Sequence, residues 1–437
     1  MPKCTADQIE FGRLGRRVIE ANFQGGAITS DGGLLLLRKV DRRLGLLSAV
    51  AETLPDPRSP QLLKHPTEQL LRQRVFGLCQ GYEDLNDHDR LRDDPTLQTA
   101  LGRDTAAASS PTLCRFESRA DRATAVAIHR ILVEQFIASF KEAPTELILD
   151  FDATDDIVHG NQEGRHFSGY YDNYCFLPLY VFCGEQLLAA YLRPAKKDAA
   201  LHAAAILKLL TTRLREAWPD VRILFRGDSG FCRPLLMGWC ERHKVDYVIG
   251  LAKNQRLHTL SQDWYDAAAT AFEKTRLPQR HFGEFTYRAG SWPCSRRVIV
   301  KAEHNVLGPN PRFVVTTLGN PPQELYERGY CARGEMENRI KECQLGLFAD
   351  RTSCHLWWPN QFRLLLASLA YVLMERLRAI GLAGTDLARA QVGTIRVRLL
   401  KLGAVIVRNT RRIRFFLASS FPHQDIFRIA AMRFMSG

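Results

Sequence analysis

The sequence lacks the features that mark secreted, disulfide-bonded and membrane-spanning proteins. Its 11 cysteines are odd in number and scattered, and no two of them form a CxxC pair. This pattern excludes a zinc ribbon and argues against a disulfide framework. The longest apolar run, residues 362–374, is too short to cross a bilayer and contains Arg363. The first residues hold no apolar segment typical of a signal peptide. We therefore expect a cytoplasmic protein with reduced thiols and no membrane partner.

Acidic residues are in the minority. The chain has 60 Lys and Arg against 47 Asp and Glu, which gives a net charge of +13 and a pI near 9.3. A basic excess of this size favours a polyanionic partner, most commonly nucleic acid, and a basic solvated surface is the alternative. The 437 residues suffice for several domains, and the apolar fraction of 46% suffices for their cores.

The two ends of the chain are predicted to be basic. Residues 1–140 have helical spacing with basic faces, which suits a DNA-binding region, although packing alone explains the pattern equally well. Residues 386–437 form a basic segment, in which positions 388–437 hold ten Arg or Lys and one acid, Asp425. Residues 395–417 alternate in a way that predicts a basic hairpin.

The middle of the chain predicts an α/β core. Residues 141–255 follow the order strand, strand, strand, helix, strand, helix, strand, which is the order of a ribonuclease H-like core with a mixed sheet. Residues 256–325 show short strands and turns, and we interpret them as a β-rich insertion into this core. Helical spacing returns in residues 326–385, which form the second part of the core.

Four aspartates are crowded into the stretch ELILDFDATDDIVHG, residues 146–160. Asp150 and Asp152 share one face of the first strand, where an unpaired carboxylate would be costly. Crowded carboxylates repel one another unless a cation lies between them, and a hard divalent cation prefers oxygen ligands. Asp155 and Asp156 are expected to be solvated turn residues.

A further carboxylate, Asp228, follows the buried strand 221–225 in the segment ILFRGDSGF. Strand ends of this kind carry the chemistry of open α/β sheets. The GDSG sequence also resembles the nucleophile motif of chymotrypsin-like proteases, but those are disulfide-bonded β-barrels, so this interpretation is rejected. Ser229 and Gly230 are predicted to form a turn into the next helix.

A mixed polar stripe follows in YCARGEMENRIKECQ, where Tyr330, Arg333, Glu337 and Lys341 share one helical face. A surface salt-bridge ladder would explain this stripe. The alternative is a carboxylate presented to a metal ion between cations that hold a phosphate backbone. Carboxylates from two strands and a late helix suit two-metal phosphoryl transfer.

With these motifs in this order, the chain resembles bacterial insertion-sequence transposases of the DDE type. The segments LDFDATDDIVHGNQEG, YYDNYCFLPLYVFCGEQLLAAYLRP, FRGDSGF and GYCARGEMENRIKE resemble the insertion-sequence family thirteen-eighty. Tyr330, Arg333 and Glu337 match that group's Tyr-x2-Arg-x3-Glu signature. The resemblance covers nearly the whole chain and implies a ribonuclease H-like core with a β-insertion before the final acid.

The resemblance implies that Asp152, Asp228 and Glu337 are the catalytic residues and hold two Mg²⁺ ions, for which Mn²⁺ can substitute. The Asp-x-Thr pattern favours Asp152 over Asp150 as the first acid, and the choice stays open. The wider signature ends with a lysine where this chain has Gln344. Lys341 is the alternative for that phosphate contact.

Further DNA contacts are implied by analogy. Tyr330, Arg333 and Lys341 would contact the strand at the catalytic centre. In the insertion, Trp292 is a candidate for stacking on a flipped base, with Arg296 and Arg297 beside it, and packing of Trp292 inside the insertion is the alternative. In the basic tail, phosphate contacts are expected from three arginines: Arg411, Arg412 and Arg414.

The resemblance implies a cut-and-paste transposase of the bacterial nucleoid. Such a protein binds terminal inverted repeats, cleaves DNA at the element ends and joins the 3′-OH to target DNA, acting as a homodimer on double-stranded DNA. A nuclease without strand transfer shares the first chemical step and stays open. An inactive DNA-binding repressor is a further alternative, against which the complete set of acids argues.

Overall fold

A computed structural model describes residues 8–196 and 198–435, so the expectation about the first seven residues lies outside the described part. All ten cysteines within these ranges are free thiols, as predicted. No helix in the described ranges is long and apolar enough to cross a membrane.

The strands lie mainly in the middle of the chain. They are β1 (Ile9–Leu14), β2 (Arg17–Ala21), β3 (Ile28–Thr29), β4 (Glu146–Ala153), β5 (Asp156–Ile157), β6 (His166–Ser168), β7 (Asn173–Phe176), β8 (Leu179–Cys183), β9 (Gln186–Tyr191), β10 (Arg222–Gly227), β11 (Asp246–Leu251), β12 (Gln279–Tyr287), β13 (Arg296–Asn305), β14 (Gly308–Pro309), β15 (Arg312–Thr316), β16 (Ala404–Arg408) and β17 (Ile413–Leu417).

The helices dominate the residues before β4 and recur after β9. They are α1 (Leu34–Leu44), α2 (Leu46–Thr53), α3 (Thr67–Gln80), α4 (His88–Leu91), α5 (Pro95–Ala100), α6 (Ser110–Glu117), α7 (Arg122–Ala138), α8 (Ala203–Ala217), α9 (Pro234–Arg242), α10 (Gln255–Leu260), α11 (Gln262–Thr275), α12 (Pro322–Glu324), α13 (Gly334–Lys341), α14 (Trp357–Arg376), α15 (Val392–Ile395) and α16 (Gln424–Arg433).

The chain divides into two compact units. The first contains residues 1–47, 56–116 and 376–437, so it joins the helical N-terminal part to the C-terminal segment. The second contains residues 48–55 and 117–375 and carries the central sheet.

The central sheet of the second unit has nine strands in the order β12-β13-β15-β11-β10-β4-β8-β9, with β14 paired to β13. Strand β10 runs parallel to both β4 and β11. Strands β8 and β9 follow β4 in antiparallel pairing, and β15, β13 and β12 extend the opposite edge. The strands and helices of the central sheet, β4, β8, β9, α8, β10, α9 and β11, occur in the predicted order, and the short strands β5, β6 and β7, which the prediction did not include, lie between β4 and β8.

The two faces of this sheet receive different side chains because strand residues alternate. Leu149 and Phe151 of β4 join a core that includes Phe225, whose ring centroid lies 4.9 Å from that of Phe151. Ile148 faces a second cluster with Leu325 and other residues. Asp150 and Asp152 share the Ile148 face, as the alternation predicts.

The region predicted as a β-rich insertion differs from expectation in two ways. It begins with helices α10 and α11, and its strands continue the central sheet through the pairing of β15 with β11. The periodicity of a segment shows that it is a strand but not which strand it pairs with, because the edge of a sheet can pair with any extended segment.

The N- and C-terminal regions also differ in part. Residues before α1 form the β1–β2 hairpin and strand β3, which the helical prediction did not include. The predicted basic hairpin is confirmed for β16 and β17, and β3 pairs with β16. Residues 395–400 were expected to be extended but complete α15 and a π turn, Arg396–Leu400.

Candidate active site

Asp150 is held by an arginine in the middle of the sheet. Arg226 Nε and Nη2 donate to its two carboxylate oxygens at 2.6 and 2.7 Å, and both side chains are buried. Arg226 Nη1 also donates to the carbonyl of Gly329 at 2.8 Å. Burial raises the pKa of Asp150 above its ordinary value, against the effect of Arg226. The Asp150 carboxylate is thus engaged in a closed ion pair, which favours Asp152 as the available acid.

Asp152 lies nearer the carboxyl end of β4 and is 9% exposed. Its Oδ1 accepts the N–H of Ala153 at 2.9 Å, and its Oδ2 accepts Arg333 Nη1 at 2.9 Å. Burial raises the pKa of Asp152 to about 6; the charges of Asp228 and Glu337 add to this rise, and Arg333 opposes it. Asp152 therefore carries a buried carboxylate whose closest charged partner is Arg333.

Asp228 follows β10 directly, at the carboxyl end of a strand parallel to β4. It is half-buried, and its Oδ1 accepts the N–H of Gly230 at 2.8 Å, which caps the 3₁₀ turn Ser229–Phe231. The prediction that Ser229 and Gly230 form a turn is therefore confirmed. This capping bond uses only Oδ1, so it leaves Oδ2 of Asp228 for another ligand.

Glu337 lies in α13, and the segment before it is not a uniform helix. A π turn, Leu325–Tyr330, and a 3₁₀ turn, Cys331–Arg333, precede α13. π turns inside helices are frequent at functional sites. Arg333 Nη2 lies 3.5 Å from Glu337 Oε1, so this arginine contacts both Asp152 and Glu337. The Glu337 side chain is 54% exposed, and it faces solvent at the mouth of the site.

Tyr330 lies against the turn that carries Asp228. A Cβ atom on Gly250 would lie 2.6 Å from the Tyr330 hydroxyl and 2.9 Å from the backbone nitrogen of Ser229. Such distances are too short for any side chain, so the glycine in β11 makes the room for Tyr330. Burial raises the pKa of Tyr330, which keeps its hydroxyl protonated.

Lys341 and Gln344, the two candidates for a phosphate contact, have different surroundings in the structure. Gln344 Nε2 donates to the carbonyl of Asp155 at 2.9 Å, which ties the end of α13 to the end of β4. Lys341 is exposed at the end of α13. Lys341 is therefore the residue with a charge to offer, and its role stays a prediction.

The residues of this site suit a hard cation in their chemistry. Within the described ranges, no three His, Cys, Asp or Glu side chains form a group ready to hold a metal ion. Arg333 instead supplies the positive charge next to Asp152. The candidate ligands Asp152, Asp228 and Glu337 offer carboxylate oxygens, which hard divalent cations prefer. Burial is the main cause of the raised pKa of Asp152, and the charges of the other two acids add to it.

The predicted site around Trp292 is organised for packing. Trp292 is 4% exposed, and its ring meets Tyr287 edge-on with centroids 5.5 Å apart. Arg296 Nε and Nη2 donate to Glu241 at 2.6 and 2.9 Å, and its guanidinium lies 5.2 Å from the Trp292 ring centroid. The packing alternative describes Trp292, because a buried ring offers no face to a base.

Arg297 is similarly engaged. Its guanidinium pairs with Glu284 and donates to the carbonyls of Leu318 and Asn320, the latter at 2.8 Å. The DNA contacts expected from Arg296 and Arg297 would require these bonds to break. The sequence around Arg296 and Arg297 does not reveal their acidic partners, which lie on a helix and on a neighbouring strand.

The expectation of a solvated Asp156 is wrong. Asp156 is 1% exposed, because β5 pairs with β7 and directs this side chain inward. Burial raises its pKa well above the ordinary value, and the charges of Asp350 and Asp155 add to the effect. The short strand β5 is a tertiary feature that a two-residue pattern could not reveal.

The three arginines of the basic tail occupy the turn and the second strand of the β16–β17 hairpin. Asn409 Oδ1 accepts the N–H groups of Arg411 and Arg412 at 3.0 and 2.9 Å. The side chains of Arg411, Arg412 and Arg414 are exposed. Their predicted phosphate contacts are compatible with this exposure and stay a prediction.

The fold and the site define an α/β protein with an acidic candidate active site at the carboxyl ends of neighbouring strands. The sequence matches the family described as "Transposase DDE domain group 1" over residues 11–436. The chain belongs to this family and is a DDE transposase. DDE transposases generally use divalent metal ions, in agreement with the donor chemistry of the site.

Other comparisons give less. No curated protein matches the sequence. Among solved structures, the piggyBac transposase synaptic complex with hairpin DNA aligns with a TM-score of 0.41 and 10% sequence identity. That alignment covers 85% of this chain and 80% of the other chain.

Proposed function

We propose that this transposase cuts DNA at the ends of its element and joins the freed 3′-OH to target DNA. The observation that supports the proposal is the contact of Arg333 with both Asp152 and Glu337, beside Asp228 at the end of the neighbouring parallel strand β10. Asp152 is buried, and the charges of the other two acids add to the rise in its pKa. A site of this kind suits positioning and charge stabilisation of a phosphodiester.

The strand order supports a ribonuclease H-like core. In the order β9-β8-β4-β10-β11, β8 is antiparallel to both β9 and β4, whereas β4, β10 and β11 run parallel to one another. We propose that the insertion-sequence family thirteen-eighty is the closer group within the transposase family. The four quoted segments and the match of Tyr330, Arg333 and Glu337 support this assignment.

In the proposed mechanism, Asp152, Asp228 and Glu337 would hold the divalent ions. Such ions activate the attacking oxygen and stabilise the leaving 3′ oxygen. Arg333 would be released from Asp152 and would donate to a phosphate oxygen, a geometry for which its planar guanidinium is suited. Tyr330 would fix the turn of Asp228, and the burial of Asp152 would limit access of bulk water.

The remainder of the chain would hold the DNA. A net charge of +13 and the exposed Arg411, Arg412 and Arg414 support non-specific phosphate contacts. We propose that the helical residues before β4 bind the terminal inverted repeats and that two subunits act on two ends.

The proposal is tested with a labelled duplex that carries the element's terminal repeat and its flanking DNA. Cleavage is followed with Mg²⁺, with EDTA, and for Asp228→Asn. Asp220→Asn is the matched control, because Asp220 is exposed and precedes the same strand that Asp228 follows. We expect Mg²⁺-dependent cutting at the boundary, lost by more than roughly a thousandfold in Asp228→Asn and retained in the control.

The same assay separates the alternatives. Pre-cut ends with a free 3′-OH are then mixed with a target plasmid. Cutting without joining would identify a nuclease that lacks strand transfer. Specific binding of the repeat, with no cutting in any divalent ion, would identify a DNA-binding repressor and refute the catalytic proposal.

A further inference from the structure

An exposed aromatic hairpin lies next to the candidate active site. It comprises residues 165–176, in which β6 and β7 are antiparallel and residues 169–172 form the tip. Phe167, Tyr170 and Tyr174 are 53%, 88% and 48% exposed, and Tyr171 is partly buried. Exposed rings in this number do not contribute to the core and leave apolar surface in water.

The rings are arranged in pairs with a cation beside them. Phe167 and Tyr174 face each other across the strands with centroids 5.5 Å apart. Tyr170 and Tyr171 at the tip are 4.8 Å apart. The Arg165 guanidinium lies 4.4 Å from the Tyr174 ring centroid. Aromatic faces combined with arginine are the features by which proteins hold unpaired nucleobases.

The base of the aromatic hairpin is fixed, so its tip is presented from a firm support. The backbone N–H of Glu163 donates to the carbonyl of His355 at 2.8 Å, and Glu163 Oε2 accepts the N–H of Trp357 at 3.0 Å. The Trp357 ring meets Phe176 edge-on at 5.4 Å. Gly164 has φ +80°, and a Cβ there would lie 2.5 Å from the Trp357 ring.

The aromatic hairpin is connected directly to the acidic site. Strand β4 carries Asp152, and β5 follows it after a two-residue step and pairs with β7 through Asp156 and Phe176. A DNA strand bound at Asp152 would therefore run close to these rings.

We propose that the aromatic hairpin is a binding site for unpaired bases of the DNA strand at the catalytic centre. The site rests on the proposed function, since it needs a DNA strand at Asp152. Two of its three exposed rings, Tyr170 and Tyr174, are tyrosines, which combine a stacking face with a polar tip, and Arg165 adds a cation suited to a polyanion. Trp292 is buried and cannot serve in this way, whereas these rings are accessible.

The test measures binding of single-stranded DNA without any divalent ion. Fluorescence anisotropy compares a labelled thymidine oligonucleotide with an abasic oligonucleotide of equal length and charge. The variants are Tyr170→Ala, the pair Phe167→Ala with Tyr174→Ala, and Tyr170→Phe, which keeps the ring. Leu307→Ala is the matched control, because Leu307 is 94% exposed in the turn before β14.

We expect the wild-type protein to bind the thymidine oligonucleotide about tenfold or more tightly than the abasic one. Tyr170→Ala and the double variant should each lose about tenfold on thymidine and nothing on the abasic strand. Tyr170→Phe and Leu307→Ala should bind as the wild type does.

Two results would overturn this inference. One is equal affinity of the wild type for both strands, or unchanged base preference in the alanine variants. The other is a change of oligomeric mass in these variants with DNA binding intact, which would make the hairpin a protein interface. Failure of the proposed function would give a different result. The protein would still prefer the thymidine oligonucleotide to the abasic one, but it would cut no duplex end. Asp228→Asn should likewise keep this preference for bases.

Discussion

Two regions of the second unit were predicted to meet DNA, and their charges are arranged in opposite ways. At the start of β13, Arg296 makes two bonds to Glu241 and its side chain is 3% exposed. At the acidic site, Arg333 makes one bond of 2.9 Å to Asp152 and a longer contact of 3.5 Å to Glu337. The first region is electrostatically closed, and the second is open.

The difference teaches how to separate structural charges from functional ones. A buried charge with a close counter-charge belongs to the fold, because removing either partner leaves an uncompensated charge in the interior. Burial raises the pKa of both Asp150 and Asp152, but only for Asp152 do the other two acids of the proposed site add to the rise, a combination typical of functional sites. Strand β4 shows both cases on one face, since Asp150 is closed by Arg226 and Asp152 is open toward Asp228.

The closed pair of Asp150 and Arg226 offers the largest expected effect. Asp150→Asn should lower the free energy of unfolding by about 3–5 kcal/mol, because it leaves a buried guanidinium without its counter-charge. Urea unfolding measures this loss. Arg222→Met is the control on the same strand pair: Arg222 is 64% exposed and lies 3.5 Å from Glu146. It should cost less than about 1 kcal/mol. Equal effects of the two changes would contradict the distinction.

The two arginines should differ in which property they affect. Arg333→Ala should slow cleavage by about a hundredfold, because a donor to the phosphate is lost. Arg296→Ala should cost about 2–4 kcal/mol of unfolding free energy and leave cleavage by the folded protein unchanged. Cleavage rates and urea unfolding of both variants provide the comparison. If the Arg296→Ala protein were stable and failed to cut DNA, Arg296 would have a functional role and the proposed difference between the two arginines would be wrong.

The open state of Asp152 should appear in the pH dependence of stability. Its pKa is raised from 3.8 to about 6, so the folded protein holds the proton more tightly than the unfolded chain. The resulting penalty is absent below about pH 4 and complete above about pH 6, and amounts to at most about 3 kcal/mol. The free energy of unfolding of the wild-type protein should therefore fall as the pH rises between these two values.

The Asp152→Asn variant supplies the control for this measurement. It lacks the titrating group, so its unfolding free energy should show a smaller fall over the same pH range. Identical pH curves for the two proteins would show that Asp152 has an ordinary pKa, with the effects of burial and of the neighbouring acids offset by Arg333.

The smallest effect is expected in the basic tail. Neutralising Arg411, Arg412 and Arg414 should flatten the dependence of DNA affinity on salt by up to about 0.9 logarithmic units per lost contact. The control neutralises Arg213, Arg222 and Arg428, which are exposed but already paired with acids. An unchanged slope in the first variant would remove the tail from the DNA contacts.

Much of the core was predictable because its signals are local. The alternation in β4 assigned Asp150 and Asp152 to one face, and the end of β10 marked Asp228. The regular helix expected around Glu337 is instead interrupted by π and 3₁₀ turns, which sequence spacing does not distinguish from an α-helix. The burial of Asp156 was not predicted, because it depends on the pairing of the two-residue strand β5 with β7, and two residues carry no alternation pattern.

The order of residues determined which strands and helices form in the core and which acids lie at strand ends, since periodicity and turn chemistry act over a few residues. The tertiary structure alone decided which charges are matched. Arg226 meets Asp150 across 76 positions and Arg333 meets Asp152 across 181. Such pairs depend on strand register and on where the later helix packs, and these follow from the burial of the whole unit, which no short segment encodes.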